Sequence, residues 1–149
     1  MALTPLKPHQ TYPTWGQAYG LLSFQVTGVL IASLLNYLIT TDGGILISIV
    51  MTILFSALYL WLAESKVPGA FSQRRLRVRI ALRATILLSV LSVITTGVYD
   101  GARLLESERA GVHGALIVVA ILVSYLAMWI GLELGNWSAR RKRSNAQAS

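Results

Sequence analysis

The residues best able to do chemistry in this chain are a few polar side chains set within long apolar stretches. Glu133 lies in the run LAMWIGLELGNW, and the amides Gln25 and Asn36 lie in the first apolar stretch. An ionisable group inside a membrane marks a possible proton or ion path, and a buried amide must find a partner. Because Glu133 precedes a basic run by about 10 Å of helix, we expect it near a membrane interface, where it reaches headgroups or pairs with a basic residue such as Arg79 or Arg83. A proton- or ion-linked role is the alternative.

Small and weakly polar residues recur at spacings of three and four along each apolar stretch. Such residues let helix backbones approach closely in lipid, and their hydroxyls and amides bind between helices. The same residues could line a polar path, but packing is the favoured interpretation. Gln25 and Asn36 are close to three helical turns apart, so we expect both amides to be buried against protein. The full set of packing or path candidates is Gln25, Asn36, Ser48, Thr52, Ser56, Thr85, Ser89, Ser92, Thr96, Ser124 and Gly131.

Other kinds of chemistry find little support in the residue types. The chain has no Cys, and its two His, His9 and His113, lie outside the apolar stretches, which excludes thiol chemistry and a bis-histidine haem between the helices. No phosphate-binding loop, nucleophile elbow or zinc-protease motif occurs. His113 lies near Asp100, Glu106 and Glu108, but these residues lack metal-ligand spacing. We therefore predict no catalytic residue, no cofactor and no metal site.

Four apolar stretches of membrane-spanning length position these residues, at approximately 18–40, 44–63, 80–99 and 114–136. A helix needs roughly 20 residues to cross a hydrocarbon core of roughly 30 Å, where every backbone group must be bonded internally. The chain is 54% hydrophobic and only 13% charged, against roughly 25% charged in soluble domains. The predicted fold is an all-α integral membrane protein, one domain over residues 1–149 with four transmembrane helices in a compact bundle.

Basic residues are divided unevenly between the two predicted sides of the membrane. Of the 13 Lys and Arg, only Arg103 and Arg109 lie on the other side; the rest lie before the first stretch, between the second and third, at the start of the third (Arg83), or after the fourth. Because basic connections stay in the cytoplasm, we predict a bacterial inner-membrane protein with both termini cytoplasmic and a flexible basic tail at 138–149. Residues expected to contact anionic lipid headgroups or an acidic partner are Arg74, Arg75, Arg77, Arg79, Arg83, Arg140, Arg141, Lys142 and Arg143.

This architecture favours a function that is not enzymatic. We predict a subunit or accessory component of a membrane protein complex, packing through its transmembrane helices against other subunits or against copies of itself. An oligomeric pore or holin-like protein is the first alternative, and a small intramembrane enzyme acting on lipid is the second. The expected partners are anionic lipids on the cytoplasmic side and other transmembrane helices. Membrane topology explains the net charge of +7 without nucleic acid as a partner.

Overall fold

A computed structural model describes the backbone of residues 14–39, 44–100 and 110–148, and side chains over 15–39, 44–94 and 114–148. The described residues form helices and no strands, which confirms the predicted all-helical fold. The four helices are α1 (Thr14–Ile39), α2 (Gly44–Lys66), α3 (Arg74–Asp100) and α4 (Ala110–Ala148).

Three of the helices, α1, α2 and α4, are long and apolar enough to cross a membrane. The described part of α3 does not meet the same requirement. Its first ten residues carry five arginines, whose charges must stay near the interface or find partners. The span expected at 80–99 therefore stays a prediction.

The helices extend beyond the predicted spans on the side where the basic residues lie. We call this side the basic end: α1 and α3 begin there, and α2 and α4 end there. The tail at 138–149, predicted to be flexible, is helical as far as Ala148. It is rich in Ala, Arg and Lys, which are good helix formers, and its Arg143 is tied to α2 through Glu64.

The helices pack in the cyclic order α1, α2, α4, α3, so that each contacts two neighbours. The tightest contact joins α2 and α4, which run parallel. A Cβ atom added to Gly131 would lie 2.4 Å from the carbonyl oxygen of Ile53, and one added to Gly135 would lie 2.5 Å from that of Ala57. Both distances are too short for any side chain. Glycine at these two positions is therefore what allows the helix backbones to touch.

The buried core occupies only the half of the bundle nearest the basic end. Its largest fully buried apolar side chains are Leu21, Leu60, Phe71, Ile80, Met128 and Leu132. At the other end, which we call the opposite end, residues 90–94 of α3 and 114–122 of α4 are exposed on every side of their helices. The buried core is thus confined to one half. In the other half α3 and α4 are exposed, whereas α1 and α2 stay close, with the side chain of Asn36 beside Gly44.

Candidate functional site

The connection between α2 and α3 closes the basic end of the bundle. Gly69 has a φ of 84°, a left-handed conformation that glycine adopts at little cost, and it lets residues 67–73 turn beneath the helices. Phe71 is fully buried with its ring edge-on to Tyr59, the centroids being 6.4 Å apart. Tyr59 also lies edge-on to Phe24 and donates its hydroxyl to the carbonyl of Gln17 at 3.0 Å. One aromatic chain therefore joins the connection to α2 and α1.

Glu64, in the last turn of α2, holds this connection from one side. Its side chain is 2% exposed. Its carboxylate accepts the backbone N–H of Gly69 at 2.9 Å and that of Phe71 at 2.7 Å, and it also pairs with the guanidinium of Arg143. The pairing supplies the charge and hydrogen-bond partners that a buried carboxylate needs. Glu64 therefore holds the connection against the end of α2. Through Arg143 it also holds the C-terminal part of α4 against α2 and the connection.

Arg77, near the start of α3, holds the connection from the other side. It donates to the carbonyl oxygens of Phe71 at 2.6 Å and Ser72 at 2.9 Å. Its other nitrogens contact both carboxylate oxygens of Glu133 on α4, at distances between 2.9 and 3.2 Å. This bidentate geometry is the strongest arrangement of an arginine and a carboxylate. We call Glu64, Arg77, Glu133 and Arg143 the polar clamp.

Glu133 pairs with an arginine of α3, but the partner is Arg77 and not Arg79 or Arg83, the two examples named from sequence. Arg77 shares the buried face of α3 with residues three and four positions along, such as Ile80 and Ala81. Arg79 is two residues from Arg77, about 200° around the helix, and it is exposed. Arg83 points to α1, where its guanidinium lies 4.7 Å from the ring centroid of Trp15. Arg77 itself was expected to face lipid or a partner, and its buried ion pair contradicts that expectation.

Several of the predicted surface cations lie over tryptophan rings. The centroid distances are 5.4 Å for Arg74 over Trp129, 5.4 Å for Arg141 over Trp137 and 5.1 Å for Lys142 over Trp61. Each such pair stabilises the fold by about 0.5–1 kcal/mol when exposed. Arg140 reaches the carbonyl of Ser72 at 3.4 Å, whereas Arg75, like Arg79, is exposed.

The two amides of α1 have different environments. Gln25 is 1% exposed and donates to the Ser56 hydroxyl at 2.7 Å and the Thr52 carbonyl at 3.2 Å. Asn36 shares its ideal helical face but is exposed. Its side chain lies beside Gly44 at the start of α2, and glycine has no side chain to cover it. The expectation that Asn36 is buried against protein is therefore wrong.

The hydroxyl candidates are mostly satisfied within their own helices. Ser48, Thr52, Thr85 and Ser89 each donate to the carbonyl four residues earlier, at 2.8 Å. Ser56 does the same while accepting from Gln25. Over the described side chains, the candidates that come together across helices are therefore Gln25, Thr52 and Ser56, with Thr85 beside the sulfur of Met128 and Gly131 against α2.

The remaining candidates stand apart from that cluster. Ser92 is exposed and Ser124 is half-buried. Thr96 lies outside the described side chains. So do His9, His113 and the acidic residues Asp100, Glu106 and Glu108.

A surface pocket of 220 Å³ lies between the end of α2 and the C-terminal part of α4. Glu64 and Arg143 of the polar clamp lie at its edge, and Lys142 lies beside them. The residues lining it are Trp61, Glu64, Ser65, Pro68, Ala139, Lys142, Arg143 and Ala146.

The polar clamp is what the sequence interpretation missed most clearly. In the sequence Glu64 is only one of six acidic residues. A signal for it exists: a lone acidic residue in the last turn of an apolar helix, followed by Pro68 and Gly69, can accept the backbone amides of the turn after it. Arg77 has no comparable signal, because four other arginines surround it at similar positions in sequence.

Metal-binding residues and related proteins give no further indication of function for the part of the chain that the structure describes. The part of the chain that the structure describes contains no group of three or more His, Cys, Asp or Glu residues that could hold a metal ion. Comparisons of the chain with protein-family models, with curated proteins and with solved structures found no match. The function must therefore be argued from the chain's own residues.

Proposed function

We propose that the protein is a non-enzymatic subunit or accessory component of a membrane protein complex, and that it works by packing its transmembrane helices against those of partner subunits or further copies. The observation that carries the proposal is the contrast between the two halves of the bundle. One half is fully packed and clamped, whereas residues 114–122 of α4 are exposed on every side.

The exposed half is suited to binding other helices. In lipid, helix association is driven by close packing and by hydrogen bonds between helices, because lipid tails are as apolar as Leu. The exposed residues of α4 include Leu116, Ile117, Val118 and Val119, and Gly114 and Ala120 are small. A partner helix lying between α3 and α4 would gain close contacts that the single chain leaves to lipid.

The use of the charged groups supports a structural function over transport or catalysis. The two carboxylates among the described side chains, Glu64 and Glu133, are both engaged in ion pairs. The side-chain amide of Gln25 donates hydrogen bonds to the Ser56 hydroxyl and the Thr52 carbonyl. Glu64, Glu133 and Gln25 thus have partners within the protein, which is the pattern expected of adhesion, whereas the indole nitrogen of Trp129 is buried without a hydrogen-bond partner among the described residues.

The same proposal includes four membrane crossings, with both termini in the cytoplasm of a bacterial cell. The basic end carries the described Lys and Arg residues, and short basic connections remain in the cytoplasm. Single-cysteine labelling tests the orientation. Cysteines at Gln73 and Ser144 should react only from the cytoplasmic side, and cysteines at Gly43 and Ser107 only from outside. Labelling of Ser107 from the cytoplasm would contradict it.

Purification from native membranes in a mild detergent, followed by mass determination, tests the proposed function. We expect a defined assembly with a protein mass above the 16.3 kDa of one chain. A protein that remains a monomer would contradict the proposal. A homo-oligomer that conducts ions after reconstitution would instead favour the pore, and a monomer that turns over lipid would favour the enzyme.

A further inference from the structure

We infer that the pocket between α2 and α4 binds one anionic phospholipid, with the lipid phosphate on Lys142 and Arg143. The inference requires that the protein resides in a membrane, but it does not depend on a partner subunit. It goes beyond a general attraction of basic residues to the membrane surface, because it assigns one lipid molecule to one pocket.

The volume and the lining residues of the pocket suit a lipid headgroup. Its volume is 220 Å³, and the ring of Trp61 forms part of its wall. Tryptophan prefers the headgroup level of a membrane, so a pocket beside Trp61 lies where lipid phosphates are found. Pro68, Ala139 and Ala146 provide apolar walls, which suit the glycerol and upper acyl chains better than they suit a free hydrated ion.

The charges of the pocket are not balanced within the protein. Lys142 and Arg143 contribute two positive charges and Glu64 one negative charge. The Glu64 carboxylate is committed to Gly69, Phe71 and Arg143, which leaves the ammonium of Lys142 as the excess charge. A phosphodiester carries one negative charge, so a single anionic lipid would neutralise the pocket.

Both cations line the pocket. The ammonium of Lys142 lies 5.1 Å from the centroid of the Trp61 ring. Arg143 uses Nη2 for Glu64, but its guanidinium has five N–H donors and its side chain is 41% exposed. It can therefore hold Glu64 and a phosphate oxygen at once. By contrast, Arg141 stacks on Trp137 and does not line the pocket.

Native mass spectrometry of the full chain in a neutral maltoside detergent tests the inference. Dioleoyl phosphatidylglycerol or dioleoyl phosphatidylcholine is titrated in, and bound lipids are counted. We expect one phosphatidylglycerol to bind more tightly than any phosphatidylcholine. A cation near anionic headgroups contributes about 1 kcal/mol, so Lys142→Gln should weaken that binding about fivefold. The matched variant Arg141→Gln, with the same charge change one residue away, should leave it unchanged.

A second pair of variants tests whether binding requires the space of the pocket and not only its charge. Ala146→Phe keeps every charge but fills the pocket, and it should weaken binding at least as much as Lys142→Gln. Ala148→Phe, in the same tail but outside the pocket lining, is its control. Because Lys142, Ala146 and Ala148 are exposed, we expect all these variants to fold as the parent does.

Three results would overturn the inference. One is the absence of a tightly bound phosphatidylglycerol. Another is an equal loss of binding for Lys142→Gln and Arg141→Gln, which would indicate diffuse surface charge. The third is displacement of the lipid by millimolar inorganic phosphate, which would show that the pocket takes the free ion.

Discussion

Replacing Arg77 with Ala should destabilise the protein more than any other single arginine replacement in α3. The side chain is 5% exposed and makes five hydrogen bonds, three to Glu133 and two to the carbonyls of Phe71 and Ser72. Its loss would remove the ion pair between α3 and α4 and would also release the connection that closes the basic end. The same change at Arg79, which is exposed, removes an equal charge from the same helix and is the matched control.

The magnitude follows from the environment of each partner. Removing one member of a buried ion pair costs about 3–5 kcal/mol. The carboxylate of Glu133 is 33% exposed, so water can solvate it once Arg77 is gone. The cost of losing this ion pair therefore falls to about 2 kcal/mol. The two carbonyls lose charge-assisted hydrogen bonds, which adds about 1.5–3 kcal/mol. We expect Arg77→Ala to lower the free energy of unfolding by about 4 kcal/mol, and Arg79→Ala to change it by about 0.5 kcal/mol or less.

Reversible unfolding by dodecyl sulfate from neutral detergent micelles, followed by tryptophan fluorescence, measures these differences. Arg77→Lys keeps the charge but lacks the planar group that reaches Glu133 and both carbonyls together, so it should recover only about half of the loss. A double-mutant cycle of Arg77→Met with Glu133→Leu should give a coupling free energy of about 1–3 kcal/mol. Equal stabilities for Arg77→Ala and Arg79→Ala, or a coupling near zero, would refute the assigned role of the clamp.

Two further predictions concern packing inside the bundle. Gly131→Ala places a Cβ atom against the Ile53 carbonyl, so it should lower the free energy of unfolding by about 1–3 kcal/mol. Gly114→Ala is the control, because its Cβ would meet nothing within 4 Å, and it should leave the free energy of unfolding unchanged. Equal effects of the two changes would exclude the close approach of α2 and α4. Gln25→Leu should cost about 1 kcal/mol or less, as expected for one ordinary bond between helices, and Asn36→Leu should cost nothing. A larger loss for Asn36→Leu would mean that the opposite end is packed.

The helical segments could be predicted from sequence because a membrane imposes a simple rule on them. A long apolar run must form a helix in lipid, where no water satisfies the backbone. The close contact at Gly131 could be anticipated for a similar reason, since small residues mark helix approach in lipid. The buried amide of Gln25 follows from the same reasoning, because an unpaired amide is costly among apolar side chains.

The polar clamp could not be predicted in the same way because it depends on helix rotation and on the path of a connection. Five arginines lie within ten residues at the start of α3, and which of them faces α4 is decided by the rotation of that helix. The partners of Glu64 are backbone amides, which carry no residue-type signal. The exposure of Asn36 was missed for a third reason: the residue of α2 beside it is Gly44, which has no side chain to cover the amide.

Photo-crosslinking from the opposite end of α4 in native membranes tests the central claim, that this half of the bundle binds partner helices. A photoreactive amino acid is placed at Leu116 or Val119, which are 62% and 55% exposed, and at the fully buried Leu132 as a control. We predict discrete protein adducts of defined mass from Leu116 and Val119, and none from Leu132. Adducts to lipid alone at both exposed positions would contradict the account.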